Sequence, residues 1–192
     1  MQKLTGLKKI KTAVFISGTG SNLKNLIKFS KLKKSPISIE MIVSNNVKSK
    51  GLAYGKIYKI KKKIFNFDQK LLAEKKVLNE LKKNKIKLIC LAGFMKILSN
   101  QFIKNFNGKI LNIHPSLLPK YKGLNTFKRA LKNNEKYTGC TVHFVDEKLD
   151  NGRAILKKRV KIYKGETEKI LKTRVQKEER KVYSIAIRKV YN

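Results

Sequence analysis

Residues 12–32 read TAVFISGTGSNLKNLIKFSKL, and this stretch decides the fold class. Residues 12–17 form a short apolar run rich in β-branched side chains, which predicts a buried strand. The glycines of GTGSN allow a tight turn, and the residues that follow place apolar side chains at helical spacing. A strand, a glycine turn and a helix in this order are typical of a parallel sheet covered by helices.

The rest of the chain repeats this alternation of strand and helix patterns. Apolar or alternating runs predict further strands at 37–43, 86–92, 109–113, 141–145 and 154–162. Helical spacing predicts helices at about 69–84, at 125–133, and from 167 into the 180s. We therefore expect an α/β fold with one mostly parallel sheet flanked by helices. We expect a single domain over residues 1–192, with residues 1–11 as a basic N-terminal extension outside the core.

The composition fits a folded protein of ordinary size. Of the 192 residues, 41% are hydrophobic, which is enough for a core and argues against disorder throughout the chain. No apolar run approaches the ~20 residues of a membrane-spanning helix, and the N-terminus lacks the pattern of an export signal. Cys90 and Cys140 suggest neither a disulfide framework nor a metal site. We expect a cytoplasmic protein without a membrane partner.

The charge is extreme, with 47 basic against 12 acidic side chains and a net charge of +35. Such a surplus is typical of nucleic-acid-binding proteins, but here lysine is scattered along the whole chain. The chain is also rich in Ile and Asn, as expected when an AT-rich genome biases codon use. Two explanations of the charge therefore stay open, namely a biased composition and a surface selected to bind polyanions. The only aspartates, Asp68, Asp146 and Asp150, stand out against this background.

The segment SGTGSN at residues 17–22 has the form of a phosphate-binding loop. A helix that starts after a glycine turn offers an anion free main-chain N–H groups and the positive end of its dipole. The segment is not a dinucleotide GxGxxG motif, because Leu23 stands at the last glycine position, and it lacks the Gly-Lys-Ser/Thr of a Walker A loop. A purely structural turn, with Ser21 or Asn22 capping the helix, also explains the pattern.

Polar residues also stand in or after the predicted strands 109–113 and 141–145. Asn112 and His114 lie near a strand's carboxyl end, where open α/β sheets bind ligands and an imidazole can move a proton near neutral pH. The alternative is that His114 has a purely structural role. Asp150 precedes Asn-Gly, so its carboxylate belongs either to a turn or to a site. His143, in the alternating run TVHFV, either lines a site or packs in the core.

Four blocks together resemble the phosphoribosylglycinamide formyltransferase family, the folate-dependent enzymes of purine synthesis. The blocks are ISGTGSNL, LAGFMKIL, LNIHPSLLPKYKGL and GCTVHFVDEKLDNG, and the similarity extends from about Thr12 to at least Glu179. The resemblance implies a Rossmann-like formyltransferase fold. It also implies transfer of a formyl group from 10-formyltetrahydrofolate to the amine of 5'-phosphoribosylglycinamide, a step of IMP biosynthesis in one-carbon metabolism.

The resemblance assigns roles residue by residue. Asn112 and protonated His114 would donate to the oxyanion formed on the formyl group, while Asp150 would hold His114, favour its imidazolium form and help to relay a proton. The residues implied to bind phosphoribosylglycinamide are Thr19, Gly20, Ser21, Asn22, Leu23 and Glu179. Those implied to bind 10-formyltetrahydrofolate are Lys70, Met95, Lys96, Ile97, Leu98, Asn112 and His143. No metal is implied, and the expected partners are these small molecules, with no specific nucleic acid and a monomer or weak homodimer.

The chain departs from the family pattern in places, and two alternative functions stay open. Lys96 stands where Arg is common, and Asn125 and Phe127 replace histidines found in some relatives. A methionyl-tRNA formyltransferase-like enzyme would share Asn112, His114 and Asp150, but it adds a second domain for which the sequence after Glu179 leaves no room. An inactive, basic nucleic-acid-binding module would predict loss of the three shared residues, all of which are present.

Overall fold

The computed structural model describes residues 9–191, which form a seven-stranded sheet with helices on both faces. The strands are β1 (Ile10–Ile16), β2 (Ile37–Ser44), β3 (Lys61–Ile64), β4 (Leu88–Leu91), β5 (Lys109–His114), β6 (Tyr137–Phe144) and β7 (Ala154–Lys161). The helices are α1 (Ser21–Ser30), α2 (Ala53–Ile57), α3 (Lys70–Lys83), α4 (Asn100–Asn105), α5 (Thr126–Lys132) and α6 (Glu168–Tyr191). Within residues 9–191, no helix is both long and apolar enough to cross a lipid bilayer.

The strands lie in the order β3-β2-β1-β4-β5-β6-β7. Strands β1 to β5 pair in parallel, whereas β6 and β7 run antiparallel to their neighbours. The loops that follow β1, β2, β4 and β5 therefore meet at one edge of the sheet, which is where open α/β sheets place their ligands. The predicted α/β class with a mostly parallel sheet is confirmed.

The core lies on both faces of the sheet, because the central strands are covered on both sides. Val14 and Ile16 point into the core that contains residues of α1 and α6, whereas Ala13 and Phe15 point into the core that contains residues of α3 and α4. This two-sided burial explains why β1 reads as a continuous apolar run. Tyr183 of α6 is fully buried, and its hydroxyl lies 3.0 Å from main-chain oxygens of β4 and β5, which fixes the helix against the sheet.

Several boundaries differ from the sequence prediction. Strand β1 begins at Ile10, which pairs with Ile37, so the end of the predicted 1–11 extension belongs to the sheet. Residues 1–8 of that extension lie outside the described residues. Strand β3 was missed because its KKKI segment is an exposed edge with no apolar pattern. Helix α4 was missed because it has only 6 residues, and β6 begins at Tyr137 instead of 141.

Candidate active site

A cavity of about 640 Å³ opens at the sheet edge where the loops after β1, β4 and β5 meet. Its walls come from residues 18–22 after β1, residues 92–98 after β4, the end of β5, the 145–150 loop and one face of α6. Three segments singled out in the sequence therefore face one cavity: the glycine loop, the end of β5 with Asn112 and His114, and the loop with Asp150. A second cavity, next to Lys109 and Arg153, is smaller and is lined by none of the predicted site residues.

Asn112, His114 and Asp150 form a cluster on the cavity wall, in which Asn112 is partly exposed and the other two are buried. The first two lie on β5 with one residue between them, so their side chains share a face of the strand. Asp150 reaches them from the β6–β7 loop, with its Oδ2 3.2 Å from His114 Nδ1 and its Oδ1 3.4 Å from Asn112 Nδ2. His114 and Asp150 are only 5% and 9% exposed. The carboxylate therefore faces the imidazole with little solvent to screen it.

Both ring nitrogens of His114 face oxygen acceptors. Nε2 lies 2.8 Å from the main-chain oxygen of Tyr121, and a carbonyl can only accept, so Nε2 carries a hydrogen. Nδ1 faces the Asp150 carboxylate, which is also an acceptor when ionised. The geometry thus holds the His114 ring between the Tyr121 carbonyl and the Asp150 carboxylate.

His143 lies beside the cluster on β6 but in a different state. Its Nδ1 donates to the main-chain oxygen of Phe144 at 2.7 Å, which leaves Nε2 to accept from Asn112 Nδ2 at 3.2 Å. Burial lowers the pKa of His143, outweighing the opposing effects of the Phe144 hydrogen bond and of Asp150. A neutral ring with a bare Nε2 makes no hydrogen bond to Asp150 at 3.7 Å. His143 therefore lines the site and orients the Asn112 amide.

The glycine loop presents a helix N-terminus without a cap. Gly20 precedes α1 in the left-handed conformation, with φ 73°, and no side chain caps the helix. The main-chain N–H groups of residues 18–23 make no hydrogen bond within the described chain. The alternative that Ser21 or Asn22 caps the helix is therefore wrong. These free donors and the positive end of the helix dipole suit a phosphate.

A loop after β2 holds the glycine loop in place. The Ser49 hydroxyl donates to the Gly18 oxygen at 2.7 Å, and the Gly51 N–H donates to the same oxygen at 3.0 Å. A Cβ on Gly20 would lie 2.8 Å from the Gly51 Cα, which is closer than real Cβ atoms approach. The glycine at position 20 is thus required both by its positive φ and by this contact.

Asn22 and Glu179 join the glycine loop to α6. Asn22 Nδ2 donates to Glu179 Oε2 at 2.9 Å, and both residues are 7% exposed. Burial raises the pKa of the Glu179 carboxyl, and the Asn22 hydrogen bond opposes this only in part. The Asn22 Oδ1 is buried with no hydrogen-bond partner among the described residues. This acceptor is left for a bound ligand.

The loop after β4 offers main-chain groups of its own. The N–H groups of Lys96, Ile97 and Leu98 make no hydrogen bond within residues 9–191. The N–H of Met95 instead donates to the Ser17 hydroxyl at 2.8 Å, so it is not free to bind a pterin. Met95 and Ile97 expose their side chains at the cavity mouth, with 65% and 62% of their surface accessible.

The structure does not bring every predicted residue to the cavity. Lys70 begins α3 and is not among the lining residues, and the Leu23 side chain is buried in the core. Sequence reasoning missed Lys172 and Gln176, which line the cavity with Glu179. Lys172, Gln176 and Glu179 are separated by four and three residues on α6, so they lie on one face of the helix. This spacing is visible in the sequence and could have predicted the two missed residues. Among the described residues, no group of His, Cys, Asp and Glu is arranged to hold a metal ion.

Comparisons with known proteins bear on this site. The sequence profile of the family described as "Formyl transferase" matches residues 10–187. The human trifunctional purine biosynthetic protein adenosine-3 is 40% identical over 95% of this chain, which spans 18% of that relative's length. Phosphoribosylglycinamide formyltransferase from Haemophilus influenzae is 39% identical over 93% of this chain and 85% of its own length. The crystal structure of phosphoribosylglycinamide formyltransferase from Brucella melitensis matches with a TM-score of 0.91, 38% identity and coverage of 96% of both chains.

Proposed function

The chain belongs to the formyl transferase family, and from this premise we propose that it forms formylglycinamide ribonucleotide during purine synthesis. The formyl donor is 10-formyltetrahydrofolate and the acceptor is the amine of 5'-phosphoribosylglycinamide. Relatives of similar length carry the name of this activity, in line with the resemblance found in the sequence. The observation that carries the proposal is the cluster of Asn112, His114 and Asp150, which shares a cavity with the uncapped start of α1.

The reaction forms a C–N bond at the amine and breaks the bond between the formyl carbon and N10 of the folate, so one proton moves from the amine to N10. The formyl oxygen becomes negatively charged on the way. Asn112 and His114 are the donors suited to that charge, and one such donor is worth about 3 kcal/mol in comparable sites. His114 Nε2 has a hydrogen-bond partner in Tyr121 and Nδ1 faces Asp150, and the longest hydrogen bond among these residues joins Asn112 to Asp150 at 3.4 Å. The amide of Asn112 is therefore the donor that turns to the oxyanion most readily.

Asp150 and His114 form the pair that can relay the proton. The carboxylate balances the charge of the ring while the ring holds the proton, and the Gly123 N–H and the Asn112 amide donate to the carboxylate once the proton has left. His143 stays neutral and keeps the Asn112 amide aimed at the cluster. All of these groups lie on the wall of the cavity, where the two substrates would meet.

The remaining walls divide between the two substrates. The N–H groups of Gly20, Ser21, Asn22 and Leu23 would bind the phosphate, with Thr19 beside them and Glu179 reaching the rest of the ribonucleotide. The N–H groups of residues 96–98 would bind the folate, with Met95 beside them on the cavity wall. Lys96 lies on this wall, whereas Lys70 is outside it. A cytoplasmic location and a monomer or weak homodimer stay predictions.

A formyl-transfer assay with two competing acceptors tests the proposal. The purified chain is incubated with 10-formyltetrahydrofolate and either 5'-phosphoribosylglycinamide or charged initiator tRNA. We expect formylglycinamide ribonucleotide and tetrahydrofolate in equal amounts, with no formyl group on the tRNA. Formylation of the tRNA but not of the ribonucleotide, or no transfer to either acceptor, would contradict the proposed function.

A further inference from the structure

The turn at residues 120–123 contacts both members of the His114–Asp150 pair. The Tyr121 main-chain oxygen accepts from His114 Nε2 at 2.8 Å, and the Gly123 N–H donates to Asp150 Oδ2 at 2.9 Å. Asp150 Oδ2 is the same oxygen that lies 3.2 Å from His114 Nδ1. One short segment thus supplies an acceptor to the imidazole and a donor to the carboxylate.

Tyr121 adopts a backbone conformation that a tyrosine does not favour. Its φ is 58°, in the left-handed region, where the Cβ of an L residue crowds the following carbonyl. Such a residue persists only where its surroundings hold it in place, and this is common next to functional sites. The contacts of the Tyr121 side chain therefore hold this residue in its left-handed conformation.

Three side chains surround the Tyr121 phenol. Its hydroxyl donates to Glu135 Oε1 at 2.8 Å and accepts from Asn133 Nδ2 at 3.0 Å. The Arg129 guanidinium stacks over the ring at 5.1 Å and also donates to the Lys122 main-chain oxygen at 2.7 Å. The Lys120 ammonium, and after it the Tyr121 hydroxyl, lower the pKa of the Glu135 carboxyl, so this acceptor is charged near neutral pH.

We propose that Tyr121 and Glu135 are positioning residues, whose contact fixes the 120–123 turn and so holds the His114 ring in place against Asp150. Neither residue lines the cavity, so neither touches substrate. Their effect on formyl transfer rests on the proposed function, whereas their effect on the His114 ring does not. Loss of the contact frees the Tyr121 carbonyl from His114 Nε2 and allows the ring to turn away from the carboxylate.

Two conservative variants test the inference. Tyr121→Phe keeps the ring under Arg129 but removes the hydroxyl, and Glu135→Gln removes the charge that accepts from it. Tyr163→Phe is the matched control, because Arg174 also stacks over that ring, at 4.5 Å, and Tyr163 lies outside the cavity lining. In both test variants we expect kcat to fall about tenfold or more with both KM values nearly unchanged, since misplaced catalytic groups cost rate without costing binding.

The second measurement needs no substrate. NMR of the ring nitrogens of ¹⁵N-labelled protein reports the Nε2–H signal of His114, and the signals of His143 serve as an internal reference. We expect the His114 Nε2–H signal to shift and broaden in both test variants and to stay unchanged in Tyr163→Phe. An unchanged His114 ring would overturn the inference, as would an unchanged kcat or a loss confined to KM. If the wild type fails to formylate the ribonucleotide, the proposed function fails, and the NMR result alone decides whether Tyr121 and Glu135 position the ring.

Discussion

Three groups face the Asp150 carboxylate. His114 Nδ1 and the Gly123 N–H share Oδ2, and the Asn112 amide approaches Oδ1. Asp150 itself has a φ of 47°, a left-handed conformation that aspartate tolerates better than most residues. The position of the Asp150 carboxylate next to β5 therefore depends on the backbone conformation of its loop as well as on its charge.

Asp150→Asn should lower kcat strongly. An amide at this position has one oxygen and one NH2 group, so its NH2 would face a donor, either Asn112 at the Oδ1 position or Gly123 and His114 at the Oδ2 position. Loss of the carboxylate also leaves the imidazolium without its counter-charge, and we expect kcat to fall about 100-fold or more. Steady-state kinetics of formyl transfer checks this.

Asp146→Asn is the matched control for that variant. Asp146 lies in the same loop and on the same cavity wall, but within residues 9–191 its carboxylate accepts only from the Lys148 N–H at 3.0 Å. We expect its kcat to stay close to that of the wild type. Equal losses in the two variants would show that the loop as a whole, and not the Asp150 carboxylate, matters for the rate.

Glu179→Gln should change how stability depends on pH. Burial raises the pKa of Glu179 above its ordinary value of 4.5, so the folded chain binds a proton that the unfolded chain releases. That contribution to stability is present below pH 4.5 and is lost as the pH rises through the raised pKa. A glutamine stays neutral at every pH, so it avoids the cost of a buried charge. Above the raised pKa of Glu179, the variant should therefore have a larger free energy of unfolding than the wild type.

Urea unfolding at pH 5 and pH 8 checks this prediction for the wild type, Glu179→Gln and Glu178→Gln. Glu178 precedes Glu179 on α6, and its hydrogen bond to Lys181 lowers the pKa of its carboxyl, so its removal should give no gain at pH 8. A Glu179→Gln variant that is less stable than the wild type at both pH values would contradict the sign of the shift.

Single residues of the site were predictable to different degrees. Asn112 and His114 were predictable as neighbours, because alternate residues of a strand share a face. The use of the Tyr121 carbonyl and of the Met95 N–H was not, because main-chain groups carry no residue signature and their partners depend on loop shape. His143 was ambiguous in the sequence, and its contacts to Asn112 and Phe144 place it in the site.

At the scale of elements, β1 and α1 were the most predictable, because the apolar run and the glycine turn both follow local rules. Strand β3 was not predictable, since pairing with β2 and the contacts of Lys61 and Lys63 with Glu80 hold a segment of lysines in place. Helix α4 depends on Ser99, whose hydroxyl caps the helix and donates to the buried Glu74 of α3. Such long-range contacts leave no pattern in the local sequence.

The junction of β1 and α1 allows a prediction with a built-in control. Gly20→Ala places a Cβ against Gly51 and forces a positive φ on alanine, so it should destabilise the chain by about 1 kcal/mol or more and weaken phosphate binding. Gly18→Ala meets no atom within 4 Å and should leave stability nearly unchanged.

Urea unfolding and calorimetric titration with 5'-phosphoribosylglycinamide compare the two glycine variants. The main-chain donors of residues 20–23 depend on the turn at Gly20, so only Gly20→Ala should lose both stability and affinity. Full retention of affinity in Gly20→Ala would remove the glycine loop from the phosphate site.

At the scale of the whole molecule, the net charge of +35 dominates. Both proposed substrates are anions, one through its phosphate and the other through glutamate carboxylates, so the positive field should speed their capture. Added NaCl should therefore lower kcat/KM moderately while kcat barely changes, because the Debye length is about 8 Å at physiological ionic strength. A salt series from low to physiological ionic strength checks this.

The same series tests the alternative meaning of the charge. We expect only weak, non-specific binding of DNA or RNA that disappears near physiological salt. Tight and sequence-selective RNA binding at ~150 mM salt would contradict this expectation and would favour a tRNA as the substrate.

The most direct measurement of the central claim is the rate of formyl transfer to 5'-phosphoribosylglycinamide by His114→Ala. Circular dichroism and urea unfolding first establish that the variant is folded, and the rate is then measured with both substrates saturating. Because His114 is the charged donor of the cluster and the partner of Asp150, we predict a rate about 100-fold to 1,000-fold below that of the wild type. A folded variant that keeps its rate within about tenfold of the wild type would contradict the account, since removal of one catalytic donor costs more than that.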